Sequence, residues 1–237
     1  MLFRSRMITP KTPNGRDLNW QIFNAYGDQF EVERQHQIGD LPGKVSVLAY
    51  RNKMILARFA DATNYVIANN AQGTQALSNV RNNYQYKTGI GINGEQALTK
   101  DLGIYGRAFT SDGHTETMSF TEADNSLSVG MSLNGMRWNR AYDTIGISMM
   151  QNGLSSFRRN YLQAGGVSYF IGDTSNPYSG PNQTINYRPE RVGEIYYNAL
   201  LVKNVLLGVN FQHINNPAYN SARGPVNIAS FRIHAEF

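Results

Sequence analysis

The last thirteen residues of the chain, Pro225 to Phe237, read PVNIASFRIHAEF. From Ala229 onward, apolar side chains occupy the odd positions and polar or charged side chains occupy the even positions. This period of two predicts a β-strand with one apolar face and one polar face, and the strand runs to Phe237. In a soluble sheet the apolar face packs on a core, whereas in a membrane barrel it faces lipid while the polar face meets water. The segment alone is compatible with both.

The composition favours a β-rich chain. The 237 residues fit one large β domain or two ordinary ones. Hydrophobic residues make up 41%, the mean hydropathy is −0.43, and no run approaches the roughly 18 apolar residues that a membrane helix needs. A barrel explains this moderate hydropathy, because only alternate residues meet lipid. The 14 tyrosines and 11 phenylalanines suit the aromatic girdles of a barrel, although a sandwich can share them.

Cysteine content and charge exclude several classes of protein. The absence of cysteine excludes a disulfide scaffold and a thiolate metal site. The net charge is +5, but basic and acidic residues are interspersed and no basic block indicates nucleic-acid binding. The N-terminus, MLFRSRMITPKTPNGRD, lacks the apolar segment of a secretory signal. An outer-membrane protein carries such a signal, so for a membrane barrel either the signal has been removed or, as we expect, the chain lacks its true beginning.

Period-2 alternation recurs along the chain and predicts about nine strands. The face opposite the bulky apolar side chains is small or polar, whereas a packed sandwich needs bulky residues on its inner face. The pattern therefore favours a sheet with one apolar side and one wet side. The strands lie at Phe30–Glu33, Val45–Ala49, Tyr84–Glu95, Leu102–Thr110, Ser126–Leu133, Thr144–Met149, Glu194–Ala199, Val205–Gln212 and Ala229–Phe237, with Leu18–Phe23 as a weaker tenth.

The connections alternate between short and long, as in bacterial barrels with short periplasmic turns and longer outside loops. This order places Phe237 at the periplasmic end. Two long connections contain segments that lack period 2 and are rich in helix formers, Lys53–Asn70 and Ser155–Ala164, and we expect these to be helices near the barrel mouth. The short links are Gln37–Gly43, Gln96–Lys100, Asn134–Arg140 and Leu201–Asn204, and the long ones are Asn52–Asn83, Ser111–Thr121, Gln151–Tyr187 and Asn215–Gly224.

The motif-like stretches do not predict an enzyme or a cofactor site. Gly89–Gly94 matches G-x-G-x-x-G, but it lies inside a predicted strand, where glycines simply leave room. The four histidines are scattered, and no nucleophile elbow or paired-carboxylate motif occurs. We therefore expect no catalytic activity, no cofactor and no metal. Gly135-Met-Arg-Trp138, followed by Asp143-Thr-Ile-Gly146, predicts a periplasmic turn with an interfacial tryptophan.

Four groups of segments, in this order and spacing, resemble the C-terminal portion of the carbohydrate-selective porin family, OprB type. The similarity runs from about Phe30 to Phe237, and the amphipathic last strand with its terminal Phe also resembles the closing strand of outer-membrane barrels. The segments are Leu102-Gly-Ile-Tyr-Gly-Arg107; Gly135-Met-Arg-Trp138 with Asp143-Thr-Ile-Gly146; Asn152-Gly-Leu-Ser155 with Tyr161-Leu-Gln-Ala-Gly-Gly166; and Asn216-Pro-Ala-Tyr-Asn220 with Arg223-Gly-Pro225.

The resemblance implies an all-β fold, an antiparallel outer-membrane β-barrel of about 16 strands in the bacterial outer membrane. It also implies passive diffusion of small sugars, contact with outer-membrane lipid, and recognition of the C-terminal strand by the barrel-assembly machinery. The nine or ten strands counted here are too few for such a barrel. We therefore expect residues 1–237 to form a single β-barrel domain that is truncated at its N-terminus. A complete, narrow barrel of ten strands is the alternative.

A channel for neutral sugars needs hydrogen-bonding groups that replace water, and isolated charges of both signs supply them without a strong field for ions. The alternative is that these charges lie on the wet side only because lipid rejects them. The candidate channel residues are Glu31, Glu33, Lys87, Glu95, Tyr105, Arg107, Asp124, Glu194, Tyr196, Arg232, His234 and Glu236.

The leading hypothesis is a sugar porin of the outer membrane. The alternatives are a non-selective or structural outer-membrane barrel and a soluble carbohydrate-binding β-sandwich. The barrel hypotheses share one structural expectation, which is that the apolar side chains of the strands face lipid. These are Leu127, Val129, Ile145, Ile147, Leu207, Phe231 and Ile233.

Overall fold

The computed structural model describes residues 2–12, 15, 17–71, 76–117, 122–168, 171 and 185–236. The terminal Phe237 therefore lies outside the described residues. The strands are β1 (Leu2–Met7), β2 (Thr9–Pro10), β3 (Leu18–Asn19), β4 (Tyr26–Ile38), β5 (Leu41–Ile55), β6 (Tyr84–Ala97), β7 (Leu102–Ser111), β8 (Asn125–Gly135), β9 (Arg140–Gly153), β10 (Glu190–Val202), β11 (Val205–Asn215) and β12 (Val226–Ala235). The α-helices are α1 (Phe59–Asn69), α2 (Leu77–Val80) and α3 (Ser156–Gln163), and short 3₁₀ helices cover Met136–Trp138 and Pro217–Tyr219.

Ten strands form one antiparallel sheet in the order β1-β4-β5-β6-β7-β8-β9-β10-β11-β12. Each strand pairs with the next along the chain, except that β4 follows β1 directly because β2 and β3 form a separate two-residue ladder. Within the described residues β1 and β12 each pair along one edge only, so the sheet is not closed. The prediction of an all-β antiparallel fold is confirmed.

Register separates the side chains of this sheet onto two faces. Val129 lies opposite Met149, and Val209 lies opposite Phe231, so the bulky apolar side chains share one face, here called the outer face. The opposite, inner face carries polar groups such as Arg107, which lies opposite Ser128. All seven side chains predicted to face lipid lie on the outer face.

The outer face is not covered by another layer in the described part of the chain. Val129 is 52% exposed and Phe231 is 71% exposed, although both are large and apolar. A sandwich buries such side chains between two sheets. The alternative of a soluble sandwich is therefore wrong for these residues, because no second sheet packs on their apolar face.

The tenth strand is not the one that the sequence predicted. It is β1, whereas Leu18–Phe23 contributes only Leu18–Asn19 to the small ladder with Thr9–Pro10. The strand β1 escaped prediction because its outer face carries Arg4 and Arg6 beside Leu2, so the apolar alternation is broken.

The two predicted loop helices are present, with one change of boundary. Helix α1 begins at Phe59 rather than Lys53, because β5 continues to Ile55 and pairs there with Tyr84 of β6. Helix α3 follows the prediction closely, since Ser155 caps its N-terminus by accepting a hydrogen bond from the backbone N–H of Arg158 at 3.1 Å. In the described part of the chain, no helix is long and apolar enough to cross a membrane.

The two ends of the sheet differ, as the alternating connections predicted. At the short-turn end, the strands are joined by two to four residues, as at Gly39–Asp40 and Lys203–Asn204, where Gly39 and Asn204 adopt left-handed φ angles of 62° and 68°. At the opposite, loop end, α1 and α3 pack together. The compact apolar core of the molecule lies there and includes Phe59, Ala62, Val66, Leu154, Tyr161, Leu162 and Tyr219.

Candidate channel wall

The inner face carries a group of paired charges on β5, β6 and β7, toward the short-turn end of the sheet. Arg107 donates from Nε to Oδ1 of Asn93 at 3.0 Å, and its Nη2 lies 4.0 Å from Oε1 of Glu95. Lys44 approaches the other oxygen of Glu95 at 3.5 Å. The Arg107 side chain is 61% exposed and that of Glu95 is 41% exposed, so both reach solvent. This is an open polar surface with both signs of charge.

Tyrosine rings on this face lie flat on glycines of the neighbouring strand. An added Cβ at Gly130 would lie 2.6 Å from Cε1 of Tyr105, so the ring covers the position that a side chain would fill. Tyr196 covers Gly146 in the same way. The Arg107 guanidinium lies 5.2 Å from the Tyr105 ring centroid. The wall therefore presents a flat aromatic surface beside a hydrogen-bond donor, which suits both the C–H surface and the hydroxyls of a sugar.

The glycine motif of β6 has the same structural explanation. Gly89 lies within the strand, and an added Cβ there would lie 2.4 Å from Cε1 of Tyr50 on β5. No helix begins at Gly94, because β6 continues to Ala97. The glycine therefore makes room for an aromatic ring.

A second polar group lies on the same face of β10, β11 and β12. Glu194 accepts hydrogen bonds from Asn210 and, at 3.3 Å, from Gln212. Tyr196 and Arg232 line the same hollow. The sheet thus brings together three of the predicted channel residues, although it places them on a different part of the wall from Arg107.

The other predicted residues on the wall lie near its margins. On β4, Glu33 accepts a hydrogen bond from Gln35 at 3.4 Å, and Glu31 lies opposite Leu48. At the short-turn end, His234 and Glu236 contact each other at 3.0 Å.

Lys87 and Asp124 are not on the open wall. The Lys87 ammonium donates to the carbonyl of Thr115 at 3.1 Å and lies 3.9 Å from Oδ1 of Asp124. Their side chains are only 8% and 1% exposed because the loops after β5, β7 and β9 cover this end of the inner face. The structure therefore favours a bracing role for both residues over contact with a passing solute.

Arg158 of α3 is the centre of this covered network. It donates to Glu122 at 2.6 Å and to Oδ1 of Asp124 at 3.0 Å, and its guanidinium stacks 4.8 Å from the ring centroid of Phe59. Its Nε lies 2.9 Å from the second Asp124 oxygen but is not aligned for a hydrogen bond. The Ser155 N–H also donates to Asp124, at 2.9 Å. The network ties α1, α3 and the loop before β8 into one unit over the wall.

The predicted periplasmic turn between β8 and β9 is hydrogen-bonded to the adjacent end of β10. Asp143 has 1% exposure and accepts hydrogen bonds from Arg140, from the Tyr197 hydroxyl at 2.5 Å and from the Leu200 N–H at 3.1 Å. Trp138 donates from Nε1 to that hydroxyl at 3.1 Å. These contacts give the motif a structural role in the turn that the sequence predicted.

Several wall residues were absent from the predicted channel set although the same period-2 signal marks them. Among the described residues no group of three or more His, Cys, Asp or Glu side chains is arranged to hold a metal ion. The polar groups on the wall are amides, tyrosines and paired charges, which can exchange hydrogen bonds with a hydroxylated solute. The additional wall residues are Lys44, Tyr50, Asn93, Asn210 and Gln212.

Comparison with known proteins identifies the family. No curated protein sequence matches the chain. Among solved structures, the high-pH structure of Pseudomonas putida OprB matches with a TM-score of 0.72 and 19% sequence identity, over 100% of this chain and 56% of that chain. The family model described as carbohydrate-selective porin, OprB family, matches residues 8–237. The chain therefore belongs to the OprB family of carbohydrate-selective porins.

Proposed function

We propose that the chain forms part of an outer-membrane channel through which small sugars diffuse passively. Membership of the OprB family supports this function and favours a channel over an enzyme. The chain spans about half of the P. putida structure that it matches. We propose accordingly that residues 1–237 are the C-terminal portion of one larger barrel domain and that further strands pair with the free edges of β1 and β12.

The observation that carries this proposal is the inner wall around Arg107. A sugar that leaves bulk water needs replacement hydrogen bonds, and Arg107, Glu95 and Asn93 offer donors and acceptors within a few ångströms of each other. Because the cations lie beside carboxylates, the wall carries no strong field of one sign that would favour an ion. Solvent-exposed groups also bind weakly, which allows the solute to leave.

The outer face supports a membrane location. Its exposed apolar side chains would be unfavourable in water, whereas lipid accommodates them. In this arrangement the short-turn end is periplasmic, the loop end faces outward, and the assembly machinery recognises the C-terminal strand.

Sugar flux into liposomes tests the proposal directly. In the complete barrel, Arg107→Ala should reduce discrimination between sugars several-fold while the folded band on a heat-modified gel is retained. Glu95→Ala and the double variant show whether Arg107 contacts the sugar itself or acts through Glu95. If Arg107 acts only by pairing with Glu95, the double variant and Glu95→Ala should discriminate between sugars equally well. Arg34→Ala is the matched control, because Arg34 is exposed on the outer face opposite Val45. Unchanged flux in Arg107→Ala together with a lost folded band would assign Arg107 to structure alone.

A structural or adhesive barrel is the second candidate, and the covered loop end favours it. The Arg158 network holds α1 and α3 over the inner face, and Lys87 beneath them is nearly inaccessible. If these loops close the lumen, the liposomes should admit neither sugars nor small ions. Flux of any sugar above that of empty liposomes would remove this candidate.

A further inference from the structure

A cluster of basic and aromatic side chains lies on the outer face at the loop end, away from the channel wall. Arg51 lies 5.7 Å and 5.8 Å from the ring centroids of Tyr26 and Tyr86. The Lys53 ammonium lies 5.5 Å from the Tyr84 ring and 5.9 Å from the Tyr86 ring. The rings therefore hold the two cations beside each other.

Arg6 of β1 extends this cluster. It lies 4.1 Å from the Tyr26 ring centroid and binds Asp28 through two hydrogen bonds of 2.6 and 2.8 Å. Arg51 donates to the same carboxylate at 3.1 Å. Asp28 thus pairs with Arg6 and Arg51, while the Lys53 ammonium lies over the tyrosine rings. The three cations and Asp28 together carry a net charge of +2, which the Asp112 carboxylate, bonded to Thr88 opposite Arg51, lowers to +1. The Arg51 side chain is 51% exposed, so its remaining donors are accessible from outside the sheet.

The cluster borders the apolar part of the outer face. On β5, Ala49 and Val47 precede Arg51 on the same face, and they lie opposite Phe30 and Val32 of β4. Two residues of a strand span roughly 7 Å, so the cations begin about one side-chain row beyond the apolar surface. Exposed apolar surface next to cations and tyrosines is the arrangement that an anionic amphiphile fits.

We propose that Arg6, Arg51 and Lys53 bind a phosphate group of a phosphorylated glycolipid in the outer leaflet. This inference rests on the outer-membrane location proposed above. Arginine donors match phosphate oxygens in a bidentate geometry, and lysine adds a mobile charge. The acyl chains of the same lipid cover the adjacent apolar surface at Phe30 and Val47. A free phosphate ion has no acyl chains to contact this apolar surface, and the open site would surround the ion on one side only. We therefore expect it to bind more weakly than the lipid.

Native mass spectrometry of the complete barrel in neutral detergent tests the site, with diphosphorylated lipid A as the probe and its dephosphorylated form as the comparison. We expect the phosphorylated form to bind more tightly and Arg51→Gln/Lys53→Gln to weaken it by about 10- to 30-fold, since each basic residue near an anionic surface contributes substantially. Arg34→Gln/Lys203→Gln is the matched control, because it removes the same charge from exposed positions toward the short-turn end. The control should bind as the unmodified protein does.

Three results would overturn the inference. They are equal binding of the phosphorylated and dephosphorylated lipids, an equal loss of lipid A affinity in the control variant, or complete displacement of lipid A by inorganic phosphate. Sugar flux in vesicles of neutral lipid, recorded in parallel, separates this inference from the proposed function. Flux without phosphate-dependent lipid binding would refute the lipid site and leave transport standing. Lipid binding without flux would support the site and count against transport.

Discussion

Val129 and Ser128 are neighbours in β8 whose side chains leave the sheet on opposite faces. Val129 lies opposite Met149 on the outer face, while Ser128 lies opposite Arg107 on the inner face. If the outer face meets lipid, Val129→Arg should lower the free energy of unfolding by roughly 2–4 kcal/mol, because lipid solvates a cation poorly. Ser128→Arg should lower the free energy of unfolding much less, because water reaches the inner face.

Urea unfolding in lipid vesicles, followed by tryptophan fluorescence, measures both changes. Similar losses in the two variants would show that the assignment of faces is wrong. The comparison is well matched, since the two positions lie at the same depth and receive the same side chain.

At the scale of the element, α3 depends on one buried arginine. Arg158 is 1% exposed and neutralises Asp124, which is equally buried. Arg158→Ala removes the closest cation from Asp124 and Glu122 and leaves Asp124 with only Lys87, at 3.9 Å, among its ion pairs in the described residues, so it should destabilise the loop unit by up to roughly 3–5 kcal/mol. Because the strands do not depend on this contact, we expect α1 and α3 to detach from the wall while the sheet survives.

Limited proteolysis combined with sugar flux detects this release. The Arg158→Ala protein should be cleaved faster in the loops after β5 and β9 and should admit sugars faster. Arg188→Ala is the control, because Arg188 is an exposed arginine in the loop after β9. A protein that resists cleavage as before would show that the ion network does not hold the loops.

The turns at the other end of the sheet are joined by an ion pair between Asp101 and Arg137. Hydrogen bonds from Arg137 and then from Thr99 lower the pKa of Asp101 from 3.8 to about 2. A lowered folded-state pKa stabilises the fold above the unfolded value, and this contribution is lost as the pH falls from about 4 to about 2. The Arg137 side chain is 58% exposed, so the effect is screened and small.

Arg137→Gln provides the measurement. The difference in melting temperature between the unmodified protein and this variant should be present at pH 6, shrink below about pH 4 and vanish near pH 2. A difference that persists at pH 2 would mean that Arg137 stabilises the turn by packing and not through the Asp101 carboxylate.

At the scale of the whole molecule, the sequence predicted nine strands, their faces and the alternation of turns and loops, because period 2 is a local signal. It missed β1, where Arg4 and Arg6 replace the apolar residues expected on the outer face. It also placed Lys87 and Asp124 on the open wall. Their burial depends on how α1 and α3 fold over the sheet, and no pattern within β6 or β8 encodes that packing.

Long-range hydrogen bonds were equally invisible in the sequence. Asp143 has the alternation of an outer-face residue, yet it is buried because Tyr197 and Leu200, more than 50 residues away along the chain, satisfy its oxygens. The family resemblance marked the segment that contains Asp143, but only the structure shows the hydrogen bonds that stabilise this buried carboxylate.

The free edges of β1 and β12 allow a test of whether ten strands close on themselves. The chain contains no cysteine, so introduced pairs report proximity without background. Ser5 of β1 and Ser230 of β12 both lie on the inner face. If the chain belongs to a larger barrel, other strands separate these edges, and Ser5→Cys/Ser230→Cys should not cross-link within one chain, since a disulfide needs Cα atoms closer than about 7 Å.

Asn210→Cys/Ser230→Cys is the positive control, because these residues lie directly opposite each other on β11 and β12. Non-reducing gels after mild oxidation, with the protein folded in detergent, compare the two pairs. The control should cross-link readily in the same preparation. An efficient bond between positions 5 and 230 would establish a closed barrel of ten strands, whose narrow interior would favour the structural role over sugar diffusion.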